Sequence, residues 1–121
     1  SALFASHRKL DNLVVILDRN RKIILGDTED ALKLEPVEEK WRSFGFDVFS
    51  VDGHSFSDLE KVFKNINNVD GRPIAIVANT VKGKGIALME DEASWHYWQG
   101  MDTATRKIIR AQLRAVEESA S

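Results

Sequence analysis

The sequence predicts an α/β fold in which helices cover a parallel β-sheet. Three runs rich in Val, Ile, Leu and Phe, at residues 12–17, 46–51 and 73–78, have the length and composition of strands. The first and third runs are almost continuously apolar, which is typical of strands buried on both faces of a parallel sheet. Helical patterns lie between the runs, and this alternation favours parallel strands joined by right-handed crossovers.

Four helices are predicted around these strands, at residues 1–9, 36–45, 57–66 and 102–118. Apolar residues three and four positions apart give each of them one apolar face. Ser55 precedes the third helix and is its predicted N-cap. The predicted inward residues of the last three helices are Val37, Trp41 and Phe44, then Leu59, Val62, Phe63 and Ile66, and finally Ile108, Ile109, Leu113 and Val116.

The expected domain organisation follows from the length of 121 residues and from the first helix. This length allows one compact domain. Residues 1–9 have no convincing N-cap, so we expect the helix to be under way at Ser1 and the N-terminal part of the domain to be missing. The sequence therefore predicts a partial α/β domain over residues 1–121, with a C-terminal helix within residues 101–121.

The composition excludes several classes of function. The 17 Lys and Arg residues against 19 Asp and Glu give a formal charge of −2, so no large basic field is available to bind nucleic acid. The absence of Cys excludes disulfides, thiolate catalysis and Cys-based metal sites, and it fits a reducing compartment. The longest apolar runs are far shorter than the roughly 18 residues that span a bilayer. We therefore expect a soluble, cytoplasmic protein that binds neither nucleic acid nor membrane.

Two long loops, at residues 19–35 and 82–100, each follow an apolar strand. Ligands of open α/β sheets bind beyond the carboxyl ends of the strands, so these loops are the predicted location of function. In the first loop, the Asn20 side-chain oxygen and neighbouring backbone carbonyls are hard oxygen donors of the kind that Mg²⁺ prefers. An Asx-type turn that ends the strand is the alternative explanation of this residue.

The second loop has the features of an anion site. Gly83 and Gly85 allow backbone amides to approach a ligand. Lys82, Lys84 and His96 supply charge-assisted donors to phosphate oxygens. The glycine motifs of nucleotide triphosphatases and of dinucleotide-binding folds are absent, so neither kind of nucleotide site is supported. A solvated Lys-Gly-Lys-Gly turn is the alternative interpretation.

Two further features carry open interpretations. His54 follows the strand at residues 46–51 and is predicted to lie in a turn or at a helix start, with a ligand contact as the alternative. Trp95, Tyr97 and Trp98 surround His96. Such a cluster walls a pocket or seals a subunit interface, since interfaces are enriched in these residue types.

Six segments together resemble the diphosphate-binding half of a thiamine diphosphate-dependent transketolase, above all the split type in which that half is a separate chain. One segment alone would be a weak signal, but all six occur with the order and spacing of the family within residues 1–96. In chain order they read KLDNL at 9–13 leading to DRN at 18–20, GDTE at 26–29, WRSFGFDV at 41–48, VDGH at 51–54, ANTVKGKGI at 78–86, and ME at 89–90 running on to WH at 95–96.

The resemblance implies roles for five residues. Asn20 matches the side-chain ligand of Mg²⁺, and Lys22 matches the residue whose backbone carbonyl is a second ligand. Ile24 falls where the family places an apolar residue against the thiazolium ring. Lys82 and His96 match a Lys and a His near the cofactor diphosphate and the reacting centre, and His96 is the implied catalytic residue.

The chain departs from the family pattern at four places. The Gly-Asp-Gly motif, whose Asp is a further Mg²⁺ ligand, is absent from the sequence. Arg21 stands where a Gly is usual, and Leu25 where an Asp is usual. The segment after Trp95-His96 reads YWQG, where the family commonly has Gly-Lys. The first departure threatens cofactor binding, and the others reshape the mouth of the site or mark a divergent subgroup.

The resemblance implies part of a transketolase-like transferase that moves a two-carbon ketol unit between sugar phosphates with thiamine diphosphate and Mg²⁺. A pyrimidine-binding domain or subunit supplies the Glu that activates the cofactor. The implied enzyme is therefore a homo- or hetero-oligomer, and the isolated chain is expected to be inactive. The alternatives are a non-catalytic remnant or assembly module that has lost cofactor binding, and a general phosphate-binding α/β domain.

Overall fold

The computed structural model of the chain describes residues 1–66, 71–97 and 100–119. Its elements, in chain order, are α1 (Ala2–His7), β1 (Val14–Arg19), β2 (Lys22–Ile23), β3 (Gly26–Asp27), α2 (Thr28–Ala31), α3 (Val37–Ser43), β4 (Asp47–Asp52), α4 (Phe56–Asn65), β5 (Ile74–Asn79), a 3₁₀ helix (Ala93–His96) and α5 (Thr103–Ser119). Within the described part of the chain, no helix has both the length and the apolar character needed to cross a membrane.

The chain divides into two compact units. The first comprises Ser1–Arg19 and Leu34–Thr80, and the second comprises Asn20–Lys33 and Val81–Ser121. The first unit therefore holds the three long strands with α1, α3 and α4. The second holds β2, β3, α2, the 3₁₀ helix and α5.

The first unit contains a parallel three-stranded sheet in the order β1-β5-β4. Both Val14 and Asp47 are paired with Ile74, so the three strands start at the same level. This arrangement confirms the predicted parallel sheet flanked by helices. Each strand begins and ends one or two residues later than predicted, because pairing continues past the apolar runs into polar residues such as Arg19 and Asn79.

The central strand β5 forms the core of the sheet. Residues 74–78 are all buried, and Ile76 is 0% exposed. Pairing on both edges satisfies the backbone groups of β5, while helices and neighbouring side chains cover its faces. On one face, Ala5 of α1 and Phe46 pack with Ala75. The third apolar run therefore lies where its continuous hydrophobicity predicts.

The expected burial of β1 on both faces is wrong. Ile16, in the middle of this strand, is 56% exposed. Ile16 and Asp18 project from the same face of β1 and are both exposed, so the described helices leave this part of that face uncovered. A continuous apolar run predicts a strand whose two faces can both be buried. In β1, the described residues bury one face more completely than the other.

The helices are found where the apolar spacing predicts them, but several of their inward faces are poorly covered. Val37 of α3 and Ile109 of α5 are buried, and Trp41 is half-buried against the core. The predicted inward orientation is wrong for a second set of residues, whose exposure lies between 39% and 50%: Phe44, Phe63, Ile108, Leu113 and Val116. Helical periodicity places residues on a common face, whereas burial requires a second element over that face.

The N-terminus of α4 has the predicted cap. The Ser55 hydroxyl accepts a hydrogen bond from the Asp58 backbone N–H at 3.2 Å. Hydrogen bonding by the Lys61 ammonium, and then by the Ser55 hydroxyl, lowers the pKa of Asp58 from its ordinary value. The cap therefore satisfies one of the free N–H groups of the first helical turn.

Replacing Ser55 by Ala tests this cap. We expect Ser55→Ala to lower the free energy of unfolding by about 1 kcal/mol, because the side-chain acceptor for the first turn is lost. Ser57→Ala is the matched control, since Ser57 lies exposed inside the same helix. Urea denaturation followed by circular dichroism measures both, and equal stabilities of the two variants would contradict the role of the cap.

Candidate functional site

All five site residues predicted from the sequence lie in the second unit. Asn20, Lys22 and Ile24 belong to one short segment, in which β2 and β3 form an antiparallel hairpin. Both strands of the hairpin contact the 3₁₀ helix that carries His96. The second unit therefore brings together the three residues of the hairpin segment, the histidine and the loop of Lys82.

The first loop is more ordered than its sequence predicts, since it contains the hairpin and α2. It begins with a tight turn. The Asn20 side-chain oxygen Oδ1 accepts a hydrogen bond from the Lys22 backbone N–H at 2.9 Å, which is an Asx turn. Arg21, between them, has a φ of 61°, in the left-handed region. The Asx-turn interpretation is thus correct, and it leaves a second lone pair on Oδ1 for another donor or a cation.

The hairpin register determines where the Lys22 backbone carbonyl points. Thr28 donates its backbone N–H to the Arg21 carbonyl at 2.9 Å, so these two residues form a hydrogen-bonded pair. Hydrogen-bonded and non-hydrogen-bonded pairs alternate along antiparallel strands. Lys22 and Asp27 are therefore a non-hydrogen-bonded pair, and the Lys22 carbonyl points away from β3. It is a second oxygen beside Asn20 that the hairpin leaves available.

The Lys22 side chain is held between two carboxylates. Its ammonium Nζ lies 2.6 Å from Asp27 Oδ1 and 3.3 Å from Asp91 Oδ1, and the side chain is only 13% exposed. The hydrogen bond to Asp27 is the main cause of the raised pKa of Lys22, and Asp91 adds to it. Neither acidic residue was predicted from the sequence. Residue pairing across a two-residue hairpin could have identified Asp27, which lies directly opposite Lys22. No local pattern in the sequence identifies Asp91.

The tip of the hairpin is apolar. Ile24 and Leu25 form the two-residue connection between β2 and β3, and they are 47% and 85% exposed. Ile24 thus presents apolar surface next to the oxygens of Asn20 and Lys22 in the chain. This position suits contact with an aromatic ring of a ligand better than contact with its charged groups.

The loop after Val81 is compact and closes on itself. The Asp91 backbone N–H donates to the Lys82 carbonyl at 2.9 Å. Gly83 has a φ of 75°, and a Cβ at this position would overlap the Met89 backbone carbonyl. Only Gly fits this close approach of two backbone segments. The loop therefore has a fixed internal shape.

The two lysines of this loop differ in whether their side chains already have a partner within the described residues. The Lys82 side chain is half-buried and makes no hydrogen bond or ion pair within the described ranges. Lys84, in contrast, lies 3.6 Å from Glu90 Oε1. The expected approach of the Gly85 amide to a ligand is wrong, because this amide donates to Glu90 Oε1 at 2.9 Å. Lys82 is consequently the better candidate for an anionic ligand.

The 3₁₀ helix presents His96 at the surface. His96 is exposed and makes an edge contact with the Tyr97 ring, with 5.4 Å between ring centroids. The Trp95 indole N–H donates to the Leu88 carbonyl at 2.9 Å, which ties the helix to the preceding loop. Trp98 lies outside the described residues. His54 lies in the first unit, where its backbone N–H donates to Asp52 Oδ1 at 2.9 Å in the predicted turn.

The donor set fits a diphosphate better than it fits an independent metal site. Across residues 1–66, 71–97 and 100–119, no three His, Cys, Asp or Glu side chains are grouped so that they could hold a metal ion. Asn20 Oδ1 and the Lys22 carbonyl offer two neutral oxygens, whereas Mg²⁺ is commonly bound through carboxylates and ligand phosphates as well. The arrangement can therefore supply part of a magnesium coordination shell and a cation for an anionic ligand.

Comparisons with known proteins identify the family of the chain. The family model described as "Transketolase, thiamine diphosphate binding domain" matches residues 1–112. The chain is 39% identical over 104 residues to one subunit of the apulose-4-phosphate transketolase of Phocaeicola vulgatus, covering 86% of this chain and 36% of that protein. It is 38% identical over 96 residues to one subunit of the 6-deoxy-6-sulfo-D-fructose transketolase of a Clostridium species, covering 79% of this chain and 35% of that protein. The chain thus spans about a third of the length of these relatives.

A solved structure extends the likeness to the fold. The transketolase of Pichia stipitis, in complex with sedoheptulose-7-phosphate, matches 93% of this chain and 17% of its own with a TM-score of 0.80. Sequence identity in this match is 22%, so the likeness concerns the fold alone. It supports the parallel sheet flanked by helices.

Arg21 provides a test of the turn that precedes the hairpin. We expect Arg21→Gly to raise the free energy of unfolding by about 0.5–1 kcal/mol, since the left-handed region costs an L-residue about 1–2 kcal/mol and Gly loses about 0.5–1 kcal/mol more entropy on folding. Arg21→Ala keeps this backbone cost and is the control for the exposed side chain. Chemical denaturation measures the three proteins, and a less stable Gly variant would contradict the strained turn.

Proposed function

Because the chain belongs to the family of transketolase thiamine diphosphate-binding domains, we propose that it is part of an enzyme that transfers a two-carbon ketol unit between sugar phosphates. Thiamine diphosphate and Mg²⁺ are the proposed cofactors. Residues 1–121 serve in this proposal as a partial diphosphate-binding domain. The observation that carries it is the association, in one unit, of two available oxygens on the hairpin with the Lys82 ammonium, which is unpaired among the described residues.

The proposed roles follow from the chemistry of each group. Asn20 Oδ1 and the Lys22 carbonyl would hold Mg²⁺, and Lys82 would neutralise diphosphate oxygens through charge-assisted hydrogen bonds. Ile24, at the apolar hairpin tip, would contact the thiazolium ring. When bound, thiamine diphosphate supplies the nucleophilic carbon and the electron sink for ketol transfer.

His96 is the proposed catalytic residue of this chain. Its imidazole is exposed at the end of the 3₁₀ helix, which contacts both strands of the hairpin. An imidazole nitrogen can accept a proton from a substrate hydroxyl and return it to an oxygen. The side chain would thus move protons at the sugar oxygens.

The remaining groups must come from other parts of the enzyme. A pyrimidine-binding domain or subunit is the proposed partner, and it would provide the Glu that activates the cofactor. The enzyme would then be a homo- or hetero-oligomer with a shared site. The proposal also places a further carboxylate ligand of Mg²⁺ outside the described residues.

An assembly module without cofactor binding is the second candidate function. One feature favours it: the apolar Leu25 projects at the hairpin tip, where the family commonly has an Asp. Exposed apolar residues at such a tip suit a contact between subunits. The two candidates differ in one property, which is Mg²⁺-dependent binding of thiamine diphosphate.

Calorimetry on the complete enzyme distinguishes them. We expect thiamine diphosphate to bind only with Mg²⁺, and Lys82→Met to weaken this binding by about ten- to a hundredfold, as the loss of a charge-assisted hydrogen bond does.

The same calorimetry tests Asn20 as a ligand of Mg²⁺. Asn20→Ser keeps a turn-forming oxygen but removes the amide ligand, and we expect about tenfold weaker binding of thiamine diphosphate at limiting Mg²⁺. Lys107→Met, an exposed change on α5, is the control. Absence of binding in the unmodified enzyme would favour the assembly module.

A shared site also predicts that the isolated 121-residue chain is inactive. We expect no transfer of a ketol unit from a ketose phosphate to an aldose phosphate when this chain is assayed alone with thiamine diphosphate and Mg²⁺. The assay follows formation of the product sugar phosphates, with the complete enzyme as the positive control. Turnover by the chain alone would refute the need for a pyrimidine-binding partner.

A further inference from the structure

We infer that Lys22 is a positioning residue, whose side chain fixes the loop of Lys82 to the β2–β3 hairpin. The inference rests on the proposed function, because both segments carry groups assigned to the cofactor. It concerns the Lys22 side chain and is separate from the role proposed for its backbone carbonyl. The side chain acts through Asp91 and does not itself touch the ligand.

Lys22 bridges two segments that are distant in sequence. Its ammonium lies 2.6 Å from the Asp27 carboxylate across the hairpin and 3.3 Å from the Asp91 carboxylate on the second loop. An ammonium group has three N–H donors and can serve both acceptors at once. The Lys22 side chain is 13% exposed, whereas the Asp27 and Asp91 side chains are 52% and 69% exposed, so the inference rests on the geometry of two contacts at one ammonium group.

Asp91 connects the Lys22 side chain to the backbone of Lys82. Its carboxylate meets Lys22, while its own backbone N–H donates to the Lys82 carbonyl at 2.9 Å. Asp91 has a φ of 59°, so the residue is held in a conformation that an L-residue adopts at a cost. A continuous series of contacts therefore runs from the hairpin through Lys22 and Asp91 to the backbone of Lys82.

The loop of Lys82 is held together by its own internal contacts. The Gly83 backbone is in close contact with Met89, and the Gly85 amide is bound to Glu90. These contacts give the loop a fixed internal shape, so its position depends on where it is anchored. With Asp91 held, Lys82 keeps a defined place relative to the hairpin oxygens.

Asp91→Asn distinguishes an effect on the position of the Lys82 loop from an electrostatic effect on the anionic ligand. This change removes a negative charge near the proposed diphosphate, so electrostatics alone predicts tighter binding of the anion. Weakening of the contact with Lys22 predicts the opposite, because Asn offers the ammonium only a neutral acceptor oxygen. We expect the dissociation constant of thiamine diphosphate, with saturating Mg²⁺ in the complete enzyme, to rise about tenfold in Asp91→Asn and in Lys22→Met. Lys22→Arg retains a cation with several donors and is expected to restore most of the affinity.

Amide hydrogen exchange provides a measurement that does not depend on the cofactor. In the complete enzyme without ligand, we expect exchange at the residue 91 amide to be about tenfold faster in Lys22→Met and Asp91→Asn, since the loop opens more often. Glu92→Gln is the matched control, because it removes an exposed charge from the same loop. It is expected to leave exchange unchanged.

The outcomes are distinguishable. Unchanged exchange in Lys22→Met, or binding in Asp91→Asn that is as tight as in the unmodified enzyme, would overturn the positioning role. If the unmodified enzyme binds no thiamine diphosphate, the proposed function fails, and the exchange measurement still decides whether Lys22 anchors the loop. Faster exchange at the residue 91 amide together with weaker binding of thiamine diphosphate supports both the positioning role of Lys22 and the proposed function.

Discussion

Parallel pairing of β5 with both β1 and β4 is the constraint on which the rest of the first unit depends. The central strand is buried along its whole apolar run, and Ile76 is fully inaccessible. Arg19 and Asn79 are opposite one another in the register, so β1 and β5 end at the same level. The chain segments that follow these strands carry the candidate site residues.

A second constraint acts within the hairpin. Because Lys22 and Asp27 form a non-hydrogen-bonded pair, their side chains are close, as they are at such positions in antiparallel strands. The same register turns the Lys22 carbonyl away from β3. One geometric feature therefore explains both the ion pair with Asp27 and the availability of a backbone oxygen. The proposed role of the carbonyl toward a cation would therefore not compete with the contact between the side chain and a carboxylate.

Local features were predictable from the sequence. The Ser55 cap and the Asx turn at Asn20 each depend on residues close together in the chain. The burial of β5 depends on distant elements, but its continuously apolar run predicts it. The exposure of Ile16 was not predictable, because burial of that face of β1 depends on elements that are distant in the chain. The contact between Lys22 and Asp91 was not predictable either, since no period or motif relates two residues in separate loops.

The departures from the family pattern change chemistry more than backbone shape. Arg21 stands where a Gly is usual and has a φ of 61°, in the region that Gly favours, so the turn keeps a glycine-like conformation despite its side chain. Leu25 leaves an apolar group almost fully exposed at the hairpin tip, where a carboxylate is usual. The left-handed region costs an L-residue about 1–2 kcal/mol, so other contacts of the chain must offset this cost at Arg21. Among these contacts are the Asx turn from Asn20 to Lys22 and the hydrogen bond from the Thr28 backbone N–H to the Arg21 carbonyl.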